Sequence, residues 1–170
     1  DAKGLLLSAI RDPDPVIFLE PMRIYRAIKE EVPDKEYTVP LGKAKIVEEG
    51  SDVTVISYGA MLKYTRDALA KTDYSAEIID IRTISPLDTE TIINSVKNTG
   101  RCVIVSEAPK NLGFAAEIMA RINEKAFFDL EAPPVRVCGY DCAFPLAKLE
   151  NFYIPDEKRI IRAVDQVMKA

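Results

Sequence analysis

A chain of 170 residues, 48% of them hydrophobic, holds enough apolar material for a full core in one domain, or one domain plus part of another, and is not a disordered tail. With 23 basic against 27 acidic residues the net charge is -4, so no long-range field draws in phosphate backbones or anionic lipid, which argues against nucleic acid and membrane-surface partners. The sequence contains no histidine, which excludes the Ser-His-Asp and Cys-His nucleophile arrangements, the zinc-binding His-Glu-x-x-His helix and the usual near-neutral proton shuttle.

In chain order, Asp1–Arg11 reads as helix, Asp12-Pro13-Asp14-Pro15 as a stiff turn, and Val16–Leu19 as a short buried strand ending at Glu20-Pro21. This predicts the last α-β step of a preceding domain. The chain begins at Asp1 rather than Met, in helix-like sequence, and the expectation is a piece of a longer protein. A charged, proline-punctuated connection runs from about Met22 to Pro40, and a domain boundary is placed near Pro40. A short strand, Gly42–Val47, then turns at Glu49-Gly50 into the main sheet.

From there strand-like runs alternate with amphipathic helical runs, the pattern of a parallel α/β sheet. The strands are Asp52–Tyr58, Glu77–Ile84, Arg101–Val105 and Val135–Cys138, each β-branched and apolar on both faces as in strands covered from both sides. The helices are Ala60–Thr72, with Leu62, Thr65, Ala68 and Leu69 on one side; Asp88–Asn98, capped by Asp88 and stopped at Gly100; Phe114–Leu130, with Phe114, Ile118, Met119, Ile122, Ala126 and Phe127 inward; and Asp156–Lys169, with Ile160, Ile161, Val164, Val167 and Met168 inward. The fold class that follows is α/β, a three-layer αβα sandwich on a mostly parallel sheet. No apolar run approaches the roughly 18 residues of a membrane span.

Local signals for chemistry are weak. Cys138-x-x-x-Cys142 resembles half a zinc site, but Cys102 is the only other thiol and a tetrahedral set cannot be completed, so core or loop thiols are expected and no metal site is assigned. An odd number of cysteines suits a reducing compartment. Gly59 stands at a strand-to-helix turn where a phosphate could sit, but one glycine without a G-x-G-x-x-G pattern is better explained by close packing. Ser106-Glu107 ends a central strand, where open α/β sheets place ligands, with no base nearby in sequence to activate a nucleophile. No catalytic residue is assigned.

The runs DPDPVIFLEP (Asp12–Pro21), LGKAKIVEEGSDVTVISYGAM (Leu41–Met61), IDIRTISPLD (Ile79–Asp88), SEAP with GF and AEI (Ser106–Ile118), and RVCGYD with FP and FYIPD (Arg136–Asp156) occur in an order that resembles the beta subunit of the 2-oxo-acid dehydrogenase decarboxylase, over essentially the whole chain. RVCGYD and FYIPD lean toward its branched-chain subgroup. The resemblance implies an α2β2 enzyme that decarboxylates a 2-oxo acid on thiamin diphosphate with magnesium and passes the acyl group to a lipoyl arm. It implies a transketolase C-terminal-like domain over 41–170 and a remnant of the pyrimidine-binding domain over 1–40. The activating glutamate and cofactor ligands of such a subunit fall outside these motifs, so no cofactor-binding residue is assigned and none of the cofactor is expected on this chain alone.

The implied partners are an alpha subunit, a second beta subunit and the dihydrolipoyl acyltransferase core, in the cytoplasm of a prokaryote or the mitochondrial matrix of a eukaryote. Subunit assembly and docking are the expected role, with Glu107, Glu117, Glu124, Asp129, Glu131, Glu157 and Asp165 as candidate interface residues; any one of them also suits a solvated helix face. Departures from the family pattern are Ser106 where many members carry His, Leu112 where a second Gly is usual, Cys142-Ala143 in place of Thr-Pro, and one extra residue in Leu146–Asn151. Alternatives are a piece of a transketolase or deoxyxylulose-phosphate synthase, which share this fold, or a non-catalytic α/β binding module.

Overall fold

The computed structural model describes all 170 residues. Helix α1 (Ala2–Arg11) and a 3-10 turn at Met22–Ile24 precede a single sheet of five strands: β1 (Lys45–Glu48), β2 (Val53–Ser57), β3 (Ala76–Asp80), β4 (Cys102–Pro109) and β5 (Val135–Gly139). Their order is β1-β3-β2-β4-β5, with β1 antiparallel to β3 at one edge and the other pairings parallel. Helices α2 (Met61–Leu69), α3 (Thr89–Thr99), α4 (Phe114–Ala126), α5 (Glu150–Tyr153) and α6 (Glu157–Met168) complete the chain.

The alternation of side chains along β2 builds two cores at once. Val53 and Val55 face the α2 and α6 layer with Ile78, Val103, Val105, Ile160 and Val164, whereas Ile56 faces the α3 and α4 layer with Ile79, Ile92, Ile104, Ile118 and Ile122. Every residue of β2 is buried, as expected of a strand with helices on both faces. Burying each of these aliphatic side chains contributes about 1.5–3 kcal/mol. One polar cluster interrupts the second core. Thr54 Oγ1 shares hydrogen bonds with Ser95 Oγ at 2.7 Å and Thr99 Oγ1 at 2.8 Å, which ties α3 to the centre of the sheet.

The predicted ends of α3 are the observed ones. The Asp88 carboxylate accepts from the N–H of Thr91, and Gly100 closes the helix at φ +66°, donating to the carbonyl of Val96. Asp88 also accepts from the Thr91 hydroxyl at 2.9 Å and the Ala44 N–H at 3.1 Å. Burial alone would raise this carboxyl, but these hydrogen bonds, with Lys43 at 3.8 Å, outweigh it and hold it below the usual carboxylate range.

Three expectations from the sequence need correction. Val16–Leu19 is no strand: none of the five strands pairs with it, its backbone makes no internal hydrogen bond, and Ile17 and Leu19 are 86% and 75% exposed. The third strand stops at Asp80 rather than Ile84, because the Asp80 carboxylate accepts from the Arg82 N–H at 3.0 Å and Arg82 turns to φ +53°. The helix from Phe114 stops at Ala126, and a 3-10 turn over Phe127–Asp129 carries Phe127 outward rather than into the core.

Candidate functional site

In this strand order the chain leaves β2 toward β3 on one side and returns to β4 on the other, so the carboxyl ends of β2 and β4 diverge around a crevice, the place where open α/β sheets receive ligands. The turn after β2 is made by Gly59 at φ +58°. A Cβ there would meet only Pro21 Cγ, at 3.8 Å, so the left-handed backbone and not the close packing expected from the sequence explains this glycine. Strand β4 runs on to Pro109 rather than ending at Val105 as expected, so Ser106 lies within it; Tyr58, just past the end of β2, meets Ser106 hydroxyl to hydroxyl at 2.7 Å, and Ser106 Oγ also accepts from the Ala108 N–H at 3.2 Å. Burial pushes the Tyr58 phenol up, with the Ser106 hydrogen bond pulling the other way. Both oxygens are therefore committed to holding β2 and β4 together, and neither partner of Ser106 Oγ is a base that would make it a nucleophile.

The crevice is a cleft of about 430 Å³ lined by Pro21, Met22, Arg23, Ala60, Glu107, Phe144, Glu150 and Ile154. Arg23 organises it. Its Nε donates to Tyr64 Oη at 2.9 Å, Nη1 pairs with Glu150 at 2.9 Å, and Nη2 donates to Asn151, so one guanidinium joins the connection before the sheet to α2 and α5. Nothing in the sequence marks Arg23, Tyr64 or Glu150 for this role, because none lies in a motif and the three are far apart in the chain. Across the domain, Arg159 donates to the carbonyl of Cys138 and lies over the Tyr140 ring at 4.8 Å, fixing α6 to the end of β5.

Of the seven acidic residues expected at an interface, Glu107 alone enters this crevice. Glu117 and Glu124 lie exposed on α4, Glu117 paired with Arg121 at 2.7 Å. Asp129 and Glu131 follow α4 and face Lys97 at 3.7 Å and Arg101 at 2.6 Å. Glu157 and Asp165 sit on α6, in the layer on the opposite side of the sheet from α4; Glu157 pairs with Lys71 and Asp165 accepts from Tyr74 Oη at 2.8 Å. The fold therefore brings Asp129 and Glu131 close in sequence and space, disperses the others, and neutralises five of the seven with internal partners.

The cysteines form no ligand set. Cys102 and Cys138 are buried, which raises both thiols, and Cys142 is exposed. No group of three or more His, Cys, Asp or Glu residues converges as a metal site, and no helix is long and apolar enough to cross a membrane.

Residues 42–160 match the family described as Transketolase, C-terminal domain. Over its whole length the chain is 52% identical to the pyruvate dehydrogenase E1 component subunit beta of Acholeplasma laidlawii, covering 53% of that protein. It is 48% identical over 99% of its length to the protein of the same name from Bacillus subtilis, again covering 53%, and 52% identical over 99% to the mitochondrial 2-oxoisovalerate dehydrogenase subunit beta of Dictyostelium discoideum, covering 46%. The chain thus spans about half the length of the curated relatives it matches. Among solved structures, a split gene transketolase described as an inactive beta4 tetramer superposes with a TM-score of 0.67 at 22% identity, covering 82% of this chain and 46% of that one, which supports the fold.

Proposed function

Because this chain belongs to the transketolase C-terminal domain family, we propose that it serves as the C-terminal part of the beta subunit of a thiamin-diphosphate-dependent 2-oxo-acid dehydrogenase. The observation that carries the reading is about 50% identity, over the whole chain, to beta subunits of pyruvate and 2-oxoisovalerate dehydrogenases. In this reading residues 41–170 assemble and dock, and residues 1–40 are the end of the pyrimidine-binding domain. The alpha subunit, a second beta subunit and the acyltransferase core are the partners, and Glu107 and Glu124, the two candidate acids without an internal ion pair, are the ones left free to meet them.

The crevice residues do not suit the cofactor itself. A magnesium diphosphate needs converging oxygen ligands for the metal and free donors for the phosphates, whereas here the one guanidinium is already engaged with Tyr64, Glu150 and Asn151 and two carboxylates face the same space. No step of the decarboxylation is therefore assigned to this chain; its work in the reading is to place other groups. Identity to the pyruvate and the branched-chain relatives is equal at 52%, and the RVCGYD and FYIPD runs support the branched-chain subgroup.

The test is catalytic. The full-length beta subunit, combined with its alpha subunit and assayed by dye reduction, is expected to turn over 2-oxo acids, branched ones fastest. Equal or better turnover with pyruvate would overturn the subgroup, and no turnover with any 2-oxo acid would overturn the proposal.

A further inference from the structure

The connection from α1 to the sheet is tied down at its ends and at one point between. Residues 13–38 make three backbone hydrogen bonds, from the N–H groups of Ile24, Tyr25 and Ala27 to the carbonyls of Pro21, Met22 and Ile24, and none to a strand or helix of the sheet domain. Ile17, Leu19, Met22, Tyr25, Ile28 and Val32 are each more than half exposed, and Ile24 is the one side chain of the segment packed on either hydrophobic core. At the far end Lys3 of α1 donates to the carbonyls of Pro33, Asp34 and Lys35, and Arg11 pairs with Glu36. The middle is held by Arg23, whose donors reach Tyr64 on α2 and Glu150 and Asn151 on α5.

A segment with so few buried contacts and no ladder bonds lies at the low end of local stability, and opens without the domain unfolding. We infer that residues 13–38 are a strap that opens over the crevice as a unit, with the Arg23 guanidinium as its latch. The inference goes beyond the function proposed above and does not depend on it.

Two observations join the latch to the crevice. Pro21, Met22 and Arg23 supply three of the eight residues that line the cleft, and the sheet domain supplies the other five, so lifting the strap removes one wall. Ala60, among those five and only 2% exposed, is uncovered by the same movement. The latch is also built to be reversible. The side chains of Arg23 and Glu150 are 28% and 34% exposed, so both regain water on release and no charge is left buried without a partner. The planar fork of arginine meets acceptors on two elements at once, which a lysine, a point charge, does not reproduce.

Thiol labelling reads the opening directly. In a Cys142→Ser background, Ala60→Cys places a thiol in the cleft under the strap, and the buried Cys102 serves as the clock for global unfolding. The cleft thiol is expected to react roughly tenfold or more faster than Cys102. Adding Arg23→Ala should speed it about fivefold again, with Arg23→Lys intermediate. Because Glu150 acts through Arg23, Glu150→Gln added to Arg23→Ala should bring no further increase. Hydrogen exchange needs no cysteine in the cleft and gives a second reading: in Arg23→Ala the Ile24, Tyr25 and Ala27 amides should lose protection together, about fivefold, with the β2 amides unchanged. Labelling of the cleft thiol only at the Cys102 rate would overturn the strap. A labelling rate, or a protection of residues 24–27, that Arg23→Ala leaves unchanged would overturn Arg23 as its latch.

Discussion

Asp88 is a joint at which two segments depend on one carboxylate. It caps α3, receives the Ala44 N–H from the segment leading into β1, and is only 5% exposed. Replacing it with alanine removes a helix cap worth about 1 kcal/mol and leaves the Ala44 donor without a partner, at about 1–3 kcal/mol. The expected loss is about 2–4 kcal/mol, or a melting temperature lower by roughly 5–15 °C for a domain of this size. Urea unfolding of the wild type and Asp88→Ala across pH gives a second signature. Because the folded carboxyl is held below its ordinary value, its contribution is complete above the unfolded value of about 4 and is lost as the pH falls through the folded one. The gap between the proteins should be flat from pH 7 to pH 5 and narrow below pH 4. A gap under 1 kcal/mol at neutral pH, or one that persists undiminished at pH 2, refutes the reasoning.

Thr54→Val keeps the shape of the side chain but strands the Ser95 hydroxyl, and should cost about 1–3 kcal/mol in urea unfolding, with most of the loss recovered when Ser95→Ala and Thr99→Val are added. Gly59→Ala should lower stability by about 1–2 kcal/mol from the left-handed backbone alone, since the Cβ has room; a neutral variant in the same assay would contradict this. Arg23→Ala should leave global stability within about 1 kcal/mol, its ion pair being partly exposed, yet speed proteolytic cleavage between residues 20 and 35 severalfold. Cys142 should react first with a thiol reagent under native conditions and Cys102 only on unfolding, as a mass-resolved time course can show.

The centre of the sheet was legible because β2 and the first part of β4 are apolar on both faces and bounded by turn residues. The caps of α3 were legible for a similar reason, each resting on a single residue whose geometry is local, Asp88 at one end and Gly100 at the other. Val16–Leu19 was misread because an apolar run predicts burial without saying against what, and here no strand lies beside it. Arg82 shows a different limit. A left-handed arginine is decided by the carboxylate two residues earlier, a contact that strand periodicity does not register. The crevice was only half visible. Sequence placed Ser106-Glu107 just past a strand that in fact runs on to Pro109, and of the two only Glu107 lines the cleft; the Arg23 contacts with Tyr64 and Glu150 span 41 and 127 residues, and no local pattern encodes such a meeting.

The strand order also dictates a sequence of events during folding. Val53 meets Ala76 across 23 residues, Val103 meets Val135 across 32, but Thr54 must find Cys102 across 48, and that last pairing is the one at the centre of the sheet. Closing the longer loop costs about 0.6 kcal/mol more for each doubling of length, and parallel strands earn nothing until the intervening helix has packed. Each half of the sheet can therefore gather around its own crossover helix while the seam between β2 and β4 stays open. The Thr54, Ser95 and Thr99 hydroxyls lie along that seam and remain hydrated until it closes. Amides of β2 that donate to the β4 side, such as Thr54 N–H to the Arg101 carbonyl, should accordingly be among the last protected in a refolding pulse-labelling experiment.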